Sequence, residues 1–126
     1  MIGTRITLIE DNARILSALS LALSREGYEV RAYQHTDDCK TLDTDVLVLD
    51  FLLAESTAIE FLEKLAKDRT CAPVIHRIPI IIISAYPSSK LELDNTGFNI
   101  VGFLPKPFDL KDLFELIQKA VPVSSM

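Results

Sequence analysis

Five polar residues at four separate points of the chain have side chains suited to holding a cation and an anionic group. Glu10 and Asp11 follow one apolar run, and Asp50 follows another. Ser84 and Lys106 follow two later runs. Three carboxylates in one crevice would repel one another, and a hard divalent cation such as Mg²⁺ would neutralise them. A lysine ammonium and a serine hydroxyl beside them would complete a cage for a phosphoryl group.

These roles require the apolar runs to be neighbouring strands of one sheet. The strongest runs show no alternation of polar and apolar residues, which indicates parallel strands buried on both faces. Helical segments lie between the runs, so the sequence predicts an α/β fold. The expected sheet is open, doubly wound and flavodoxin-like, with five parallel strands in the order 2-1-3-4-5 and helices on both faces. The strands are predicted at Ile6 to Ile9, Glu29 to Tyr33, Val46 to Leu49, Ile80 to Ile83 and Ile100 to Leu104.

The helices between the strands are indicated with unequal strength. Asn12 to Arg25 carries an apolar stripe and is followed by Gly27, a residue typical of a helix C-terminus. Thr57 to Glu60 has the pattern of a capping box, and Asp109 can cap a last helix. Two segments indicate helices only weakly: Thr36 to Thr44 and Ser88 to Asn95.

The expected geometry assigns a role to each acid, because the site of such a sheet forms outside the carboxyl ends of its strands. Asp50 would be the nucleophile that accepts a phosphoryl group and, with Asp11, a direct ligand of Mg²⁺. Glu10 would assist directly or through a water molecule. The backbone carbonyl of Leu52 could supply a further ligand.

Taken in order, these residues resemble the bacterial response-regulator receiver domain over nearly the whole chain. The resemblance implies phosphotransfer from a phosphohistidine on a sensor histidine kinase or a phosphotransfer protein, with Mg²⁺ required. It also implies a cis peptide bond before Pro107. The chain would then be a signalling phospho-acceptor of a two-component system and not an enzyme. The matching elements are Glu10-Asp11 after strand one, Asp50 after strand three, Ser84-Ala85 after strand four and Lys106-Pro107-Phe108 after strand five.

The resemblance also implies a conformational switch. Phe103, three residues before Lys106, matches a position usually held by tyrosine or phenylalanine. Ser84 would move toward the phosphoryl group, and the aromatic ring would turn into the space that it leaves. The output face would consist of the fourth predicted helix (Ser88 to Asn95), the fifth strand, and the fifth and last predicted helix, which follows Asp109. Some family members dimerise through this face, so a homodimer is a further expectation.

Two positions near the acceptor often tune the loss of the phosphoryl group in this family. Leu52 and Tyr86 occupy them, and neither has a carboxylate or an amide that could align a water molecule. Both side chains could shield the phosphoryl group. The sequence therefore predicts a long-lived phosphorylated form with at most slow autodephosphorylation.

Length and charge narrow the class of protein. The 126 residues suit a single domain, 1–126, with residues 1–4 and 122–126 as flexible tails. The net charge of -5 argues against direct nucleic-acid binding, because phosphates would be repelled. No apolar stretch has the length of a signal peptide or a membrane span, so we expect a cytoplasmic protein without a membrane partner. Cys39 and Cys71 are expected to be free thiols.

Three alternative functions use the same kind of sheet. A haloacid-dehalogenase-like phosphatase needs a second acid two residues after its nucleophile, where this chain has Leu52. A flavodoxin-like cofactor binder needs a neutral, hydroxyl- or glycine-rich loop after the first strand, where this chain has acids. A receiver-like protein-interaction module that is never phosphorylated is disfavoured by the full acid set, Ser84 and Lys106, and stays open.

Overall fold

A computed structural model describes residues 3–53, 56–86 and 96–121 of the chain. The strands in this part are β1 (Arg5–Ile9), β2 (Glu29–Tyr33), β3 (Val46–Asp50), β4 (Ile80–Ser84) and β5 (Ile100–Pro105). They form one parallel sheet in the order β2-β1-β3-β4-β5. The predicted topology is therefore confirmed, and each predicted strand is present to within one residue of its expected ends.

Helices cover both faces of the sheet, as a doubly wound fold requires. The α-helices of the described residues are α1 (Ala13–Arg25), α2 (Ala58–Ala66), α3 (Ala72–Ile75) and α4 (Leu110–Ala120). The apolar cluster under α1 and α4 includes Leu23 and Ile117, and the cluster under α2 and α3 includes Leu62 and Ile75. Every residue of β3 and β4 is buried between these two layers, which explains their unbroken apolar sequences.

Side-chain caps fix where two of the helices begin. The side chain of Asn12 accepts hydrogen bonds from backbone N–H groups in the first turn of α1. Thr57 and Glu60 form the predicted capping box at the start of α2, with hydrogen bonds of 2.9 and 3.2 Å. Gly27 has a φ of 95° just beyond α1, a conformation that glycine adopts without steric cost.

The structure differs from several of the local secondary-structure predictions. Thr36 to Thr44 contains a single 3₁₀ turn, Thr36–Asp38, and no α-helix, because the connection from β2 to β3 is short and polar. Asp109 occupies the N-cap position of α4, but its side chain makes no capping hydrogen bond, so the capping prediction is wrong. The short helix α3, with Pro73 in its first turn, was not predicted. The weak helix prediction for Ser88 to Asn95 lies outside the described residues.

The first two described residues, Gly3 and Thr4, contact the segment around Gly27 and Glu29. The carbonyl of Thr4 accepts the backbone N–H of Glu29 at 2.9 Å. Gly3 lies so close to Gly27 that a Cβ atom added to it would stand 2.6 Å from the Gly27 carbonyl oxygen. Residues 1–2 and 122–126 lie outside the described part, so flexibility of the two tails stays a prediction.

Cys39 and Cys71 are both buried and free, which confirms the prediction for the thiols. Burial, with a smaller contribution from Cys71, raises the pKa of the Cys39 thiol to about 11. A thiol with so high a pKa forms little thiolate at neutral pH and is chemically unreactive. None of the described helices has the length and apolar character needed to cross a bilayer.

Candidate functional site

The carboxyl ends of the strands bring the predicted polar residues to one edge of the sheet. β1 pairs in register with β3, and β3 pairs in register with β4, up to the last residues of these strands. Side chains that end or follow the strands therefore converge there. Glu10 and Asp11 follow β1, Asp50 ends β3, Ser84 ends β4, and Lys106 follows β5.

Lys106 joins two of these acids. Its Nζ lies 2.7 Å from Oδ2 of Asp50 and 3.2 Å from Oε1 of Glu10. Burial by itself lowers the pKa of Lys106, but the hydrogen bond and charge of Asp50, followed by those of Glu10, raise it above its ordinary value. The peptide bond between Lys106 and Pro107 is cis, as the resemblance implied.

Glu10 is almost fully buried, and both of its carboxylate oxygens have partners. Oε1 accepts from Lys106, and Oε2 accepts the backbone N–H of Asn12 at 3.1 Å. Burial raises the pKa of Glu10 to about 7; the Asn12 hydrogen bond opposes this shift, while Asp50 and Asp11 add to it. Glu10 is therefore held in one orientation at the inner wall of the site.

The acids form a group that fits a divalent cation. Glu10, Asp11 and Asp50 each offer a carboxylate oxygen, and these atoms all lie within 4.8 Å of one another. Against these three carboxylates, the described residues place one ammonium, that of Lys106. Oxygen donors with excess negative charge are the ligands that Mg²⁺ prefers. The donor set therefore fits a magnesium ion.

The other predicted residues occupy distinct environments. Ser84 is buried, its Oγ accepts the backbone N–H of Tyr86 at 2.9 Å, and its carbonyl accepts the backbone N–H of Lys106 at 2.8 Å. The residues Leu52 and Tyr86 are 46% and 47% exposed. Phe103 packs, partly buried, against the apolar cluster under α2 and α3. The switch and tuning roles of these residues, and the Leu52 carbonyl as a ligand, stay predictions.

The sequence did not indicate the contact that Gln34 makes with the acidic turn. This residue directly follows β2, and its Nε2 donates to the backbone carbonyl of Asp11 at 3.0 Å. Its neighbour Tyr33 accepts the backbone N–H of Glu10 at 3.1 Å. A lone glutamine carries no motif, so the register between β1 and β2 was the signal that could have placed it there.

Comparison with known proteins gives the class of this chain. A model of the response regulator receiver domain family matches residues 6–118. The match covers most of the chain, and the chain therefore belongs to the response regulator receiver domain family of two-component systems. The resemblance predicted from the strand-end residues is confirmed.

Individual relatives and solved structures agree with this class. The DNA-binding transcriptional regulator NtrC of Rhizobium meliloti (strain 1021) is 30% identical over 128 residues, covering 96% of this chain and 25% of the relative. The chain thus spans about a quarter of the length of the NtrC relatives that it matches. The chemotaxis response regulator CheY4 of Vibrio cholerae has a TM-score of 0.78 at 20% identity, covering 94% of this chain and 99% of that one. The response regulator TrrA of Thermotoga maritima, solved in complex with Mg²⁺-BeF, has a TM-score of 0.73 at 22% identity and the same coverage.

Proposed function

We propose that Asp50 accepts a phosphoryl group in a Mg²⁺-dependent reaction and that the domain relays this event to a partner. The observation that carries the proposal is the convergence of Lys106 Nζ on Asp50 and Glu10, at 2.7 and 3.2 Å, within a group of acids that fits a cation. Acids that serve only as helix caps, and a lysine that is only an exposed surface residue, are not expected to converge on one crevice.

Asp50 is the proposed nucleophile. One of its carboxylate oxygens attacks the phosphorus of a phosphohistidine, an O–P bond forms, the P–N bond breaks, and the imidazole leaves with the electron pair to give an acyl phosphate. Lys106, already hydrogen-bonded to Asp50, can donate to the phosphoryl oxygens as their charge develops. A bound Mg²⁺ supplies further neutralisation of that charge.

Asp11 and Asp50 are the residues proposed to bind Mg²⁺ directly. Asp11 is only partly buried, so its carboxylate can face a hydrated cation. Glu10 would assist, since its oxygens already accept from Lys106 and Asn12. The backbone carbonyl of Leu52, two residues after the acceptor, is the proposed further ligand. The likeness to TrrA, solved with Mg²⁺-BeF, supports Mg²⁺ as the cation.

Ser84 and Phe103 are the proposed switch residues. Phosphorylation adds a charge of about -1.5 to -2, and new contacts from that group to Ser84 and Lys106 would favour a second arrangement of the domain. The ring of Phe103 would follow the serine. The proposed output face comprises β5, α4 and the segment 88–95, which lies outside the described residues.

The proposed partners follow from this role. The donor would be a sensor histidine kinase or a phosphotransfer protein. The output partner would bind the output face, and a second copy of the chain is one candidate for it. The net charge of -5 speaks against direct nucleic-acid contact. A cytoplasmic location is part of the same proposal.

Incubation with acetyl phosphate and Mg²⁺ tests the acceptor role. Intact-mass spectrometry is expected to show a gain of one phosphoryl group in the wild type and none in Asp50→Ala. Asp45→Ala is the matched control, because Asp45 precedes β3 at the opposite end and pairs with Arg5. No gain in a wild type with metal shown to be bound would instead favour an interaction module that is never phosphorylated.

Leu52 and Tyr86 are proposed to prolong the life of the phosphorylated form. Their half-exposed side chains carry no carboxylate or amide to orient an attacking water. Leu52→Asn introduces such a group and is expected to speed the loss of the phosphoryl group, measured as the decay of the phosphorylated mass after donor removal. Equal decay in Leu52→Asn and the wild type would contradict the proposed shielding.

A further inference from the structure

The turn that carries the acids is attached to the edge strand β2 as well as to its own helix. Ile9 pairs with Tyr33, and the backbone N–H of Glu10 donates to the Tyr33 carbonyl at 3.1 Å, which extends the ladder by one residue. Asn12 already caps α1. Asp11 therefore lies between the end of the ladder and the start of the helix. The N–H of the Asp11–Asn12 peptide is held by Oε2 of Glu10 at 3.1 Å, whereas neither β2 nor α1 holds the carbonyl of the same peptide with its backbone.

The side chain of Gln34 holds this intervening residue. Its Nε2 lies 3.0 Å from the backbone oxygen of Asp11, across 23 positions of sequence. A carbonyl oxygen can only accept a hydrogen bond, so the amide nitrogen is the atom that must face it. Together with the hydrogen bond from the Asn12 N–H to Glu10, this bond restrains rotation of the peptide between Asp11 and Asn12, and with it the direction in which the Asp11 side chain leaves the turn.

We infer that Gln34 is a positioning residue for Asp11, and that its amide keeps the Asp11 carboxylate directed at the Mg²⁺ site. This inference rests on the proposed function. Gln34 contacts neither the cation nor the phosphoryl group; it acts by lowering the cost of ordering the acidic turn when Mg²⁺ binds. A neutral amide suits this task, because it steadies the turn without reducing the negative charge that attracts the cation.

Replacing Gln34 with methionine isolates the hydrogen bond. Gln34→Met keeps the length of the side chain and removes its donor. The matched control is Gln118→Met, the same change on the exposed face of α4. The dissociation constant of Mg²⁺ is measured by isothermal titration calorimetry on chelator-treated protein, and the thermal midpoint is measured in chelator.

Gln34→Met is expected to weaken Mg²⁺ binding about two- to tenfold, the range for one intramolecular hydrogen bond, while its thermal midpoint in chelator matches the wild type. At saturating Mg²⁺ its rate of phosphorylation by acetyl phosphate is expected to equal that of the wild type. Gln118→Met should change none of these quantities.

The outcomes separate this inference from the proposed function. An unchanged Mg²⁺ dissociation constant in Gln34→Met, or an equal rise in Gln118→Met, overturns the positioning role alone. A clear fall of the midpoint in chelator assigns Gln34 to general stability and also overturns it. A wild type that binds no Mg²⁺ and gains no phosphoryl group overturns both.

Discussion

The two ends of the sheet carry charged clusters that differ in balance and in burial. At the amino end two arginines meet two aspartates: Nη2 of Arg5 lies 3.1 Å from Asp45, and Nη2 of Arg31 lies 3.9 Å from Asp43. Arg5 also forms an ion pair with Asp43. At the carboxyl end three carboxylates share one ammonium within the described residues, and two of the three are buried.

The pKa shifts at the two ends follow from this difference. The hydrogen bond from Arg5 keeps the pKa of Asp45 below its ordinary value, although burial opposes it. Burial, with the nearby acids, raises the pKa of Glu10 to about 7 despite its bond from Asn12. A balanced, solvated cluster stabilises the chain a little, whereas a buried surplus of one charge costs folding free energy and is typical of a functional site.

Removing the lysine is expected to have the largest effect. Lys106→Met takes away the donor proposed for the phosphoryl oxygens, so the rate of phosphorylation by acetyl phosphate at saturating Mg²⁺ is expected to fall by roughly 100-fold or more. Arg5→Met makes a similar change at the opposite end and is expected to react at the wild-type rate. Time courses of intact mass measure both. If Lys106→Met is phosphorylated as fast as the wild type, the proposed functional difference between the two ends of the sheet is contradicted.

Magnesium is expected to stabilise the protein through the carboxyl end. At about 100 times its dissociation constant, a ligand that binds only the folded state adds about 2.7 kcal/mol to the free energy of unfolding. Asp11→Asn should lose most of this gain, and Asp43→Asn should keep it. Scanning calorimetry with Mg²⁺ and with chelator measures the gain, and a reversed order of the two variants would contradict the assignment.

In the presence of chelator, the contributions of the two ends of the sheet to the free energy of unfolding are expected to change with pH in opposite directions. The pKa of Glu10 in the folded state, about 7, lies above its ordinary value of 4.5, so the folded protein binds this proton more tightly than the unfolded one. Its contribution to the free energy of unfolding therefore rises as pH falls from about 8 to about 5. The pKa of Asp45 lies below its ordinary value of 3.8, so its contribution is complete above that value and is lost at lower pH.

Urea titrations at a series of pH values measure these two contributions. Glu10→Gln is expected to remove most of the rise between pH 8 and 5, whereas Asp45→Asn should retain it and flatten only the acid limb. A wild-type profile that falls steadily across the upper window, with the Glu10→Gln profile parallel to it, would show that Glu10 titrates normally.

The smallest effect is expected from the amino end itself. Asp45→Asn breaks a partly exposed pair with Arg5, and pairs of this kind contribute little to stability because water and salt screen them. Its thermal midpoint should fall by no more than a few degrees, and its phosphorylation rate should be unchanged. If Asp45→Asn is phosphorylated more slowly than the wild type, the amino end of the sheet takes part in the reaction.

Much of the fold was predictable because burial on both faces leaves a local trace. The runs at Val46 to Leu49 and Ile80 to Ile83 contain no polar residue, and only strands covered on both sides tolerate this. The sheet order then followed from the alternation of elements. The acids, Ser84 and Lys106 could be placed together because parallel strands end at the same edge.

The rest depends on contacts that a local pattern does not record. The turn at Thr36–Asp38 and the helix α3 are too short to show a period. Asp109 has the residue type of a cap, yet its side chain does not cap in the folded chain. The hydrogen bond from Gln34 to Asp11 depends on the register between β1 and β2, and no spacing of residues in the sequence predicts it.

The ion pairs of Lys106 with Asp50 and Glu10 also affect how the site responds when the ion composition of the solution changes. The ammonium is tethered by its own backbone, so its local concentration beside the two acids does not depend on the salts around the protein. Dissolved cations exchange with the medium, and fewer of them are bound when the magnesium concentration falls. The ammonium of Lys106 stays beside the two acids under the same conditions. The acidic edge can therefore keep a counter-ion beside Asp50 and Glu10 when no dissolved cation is bound there.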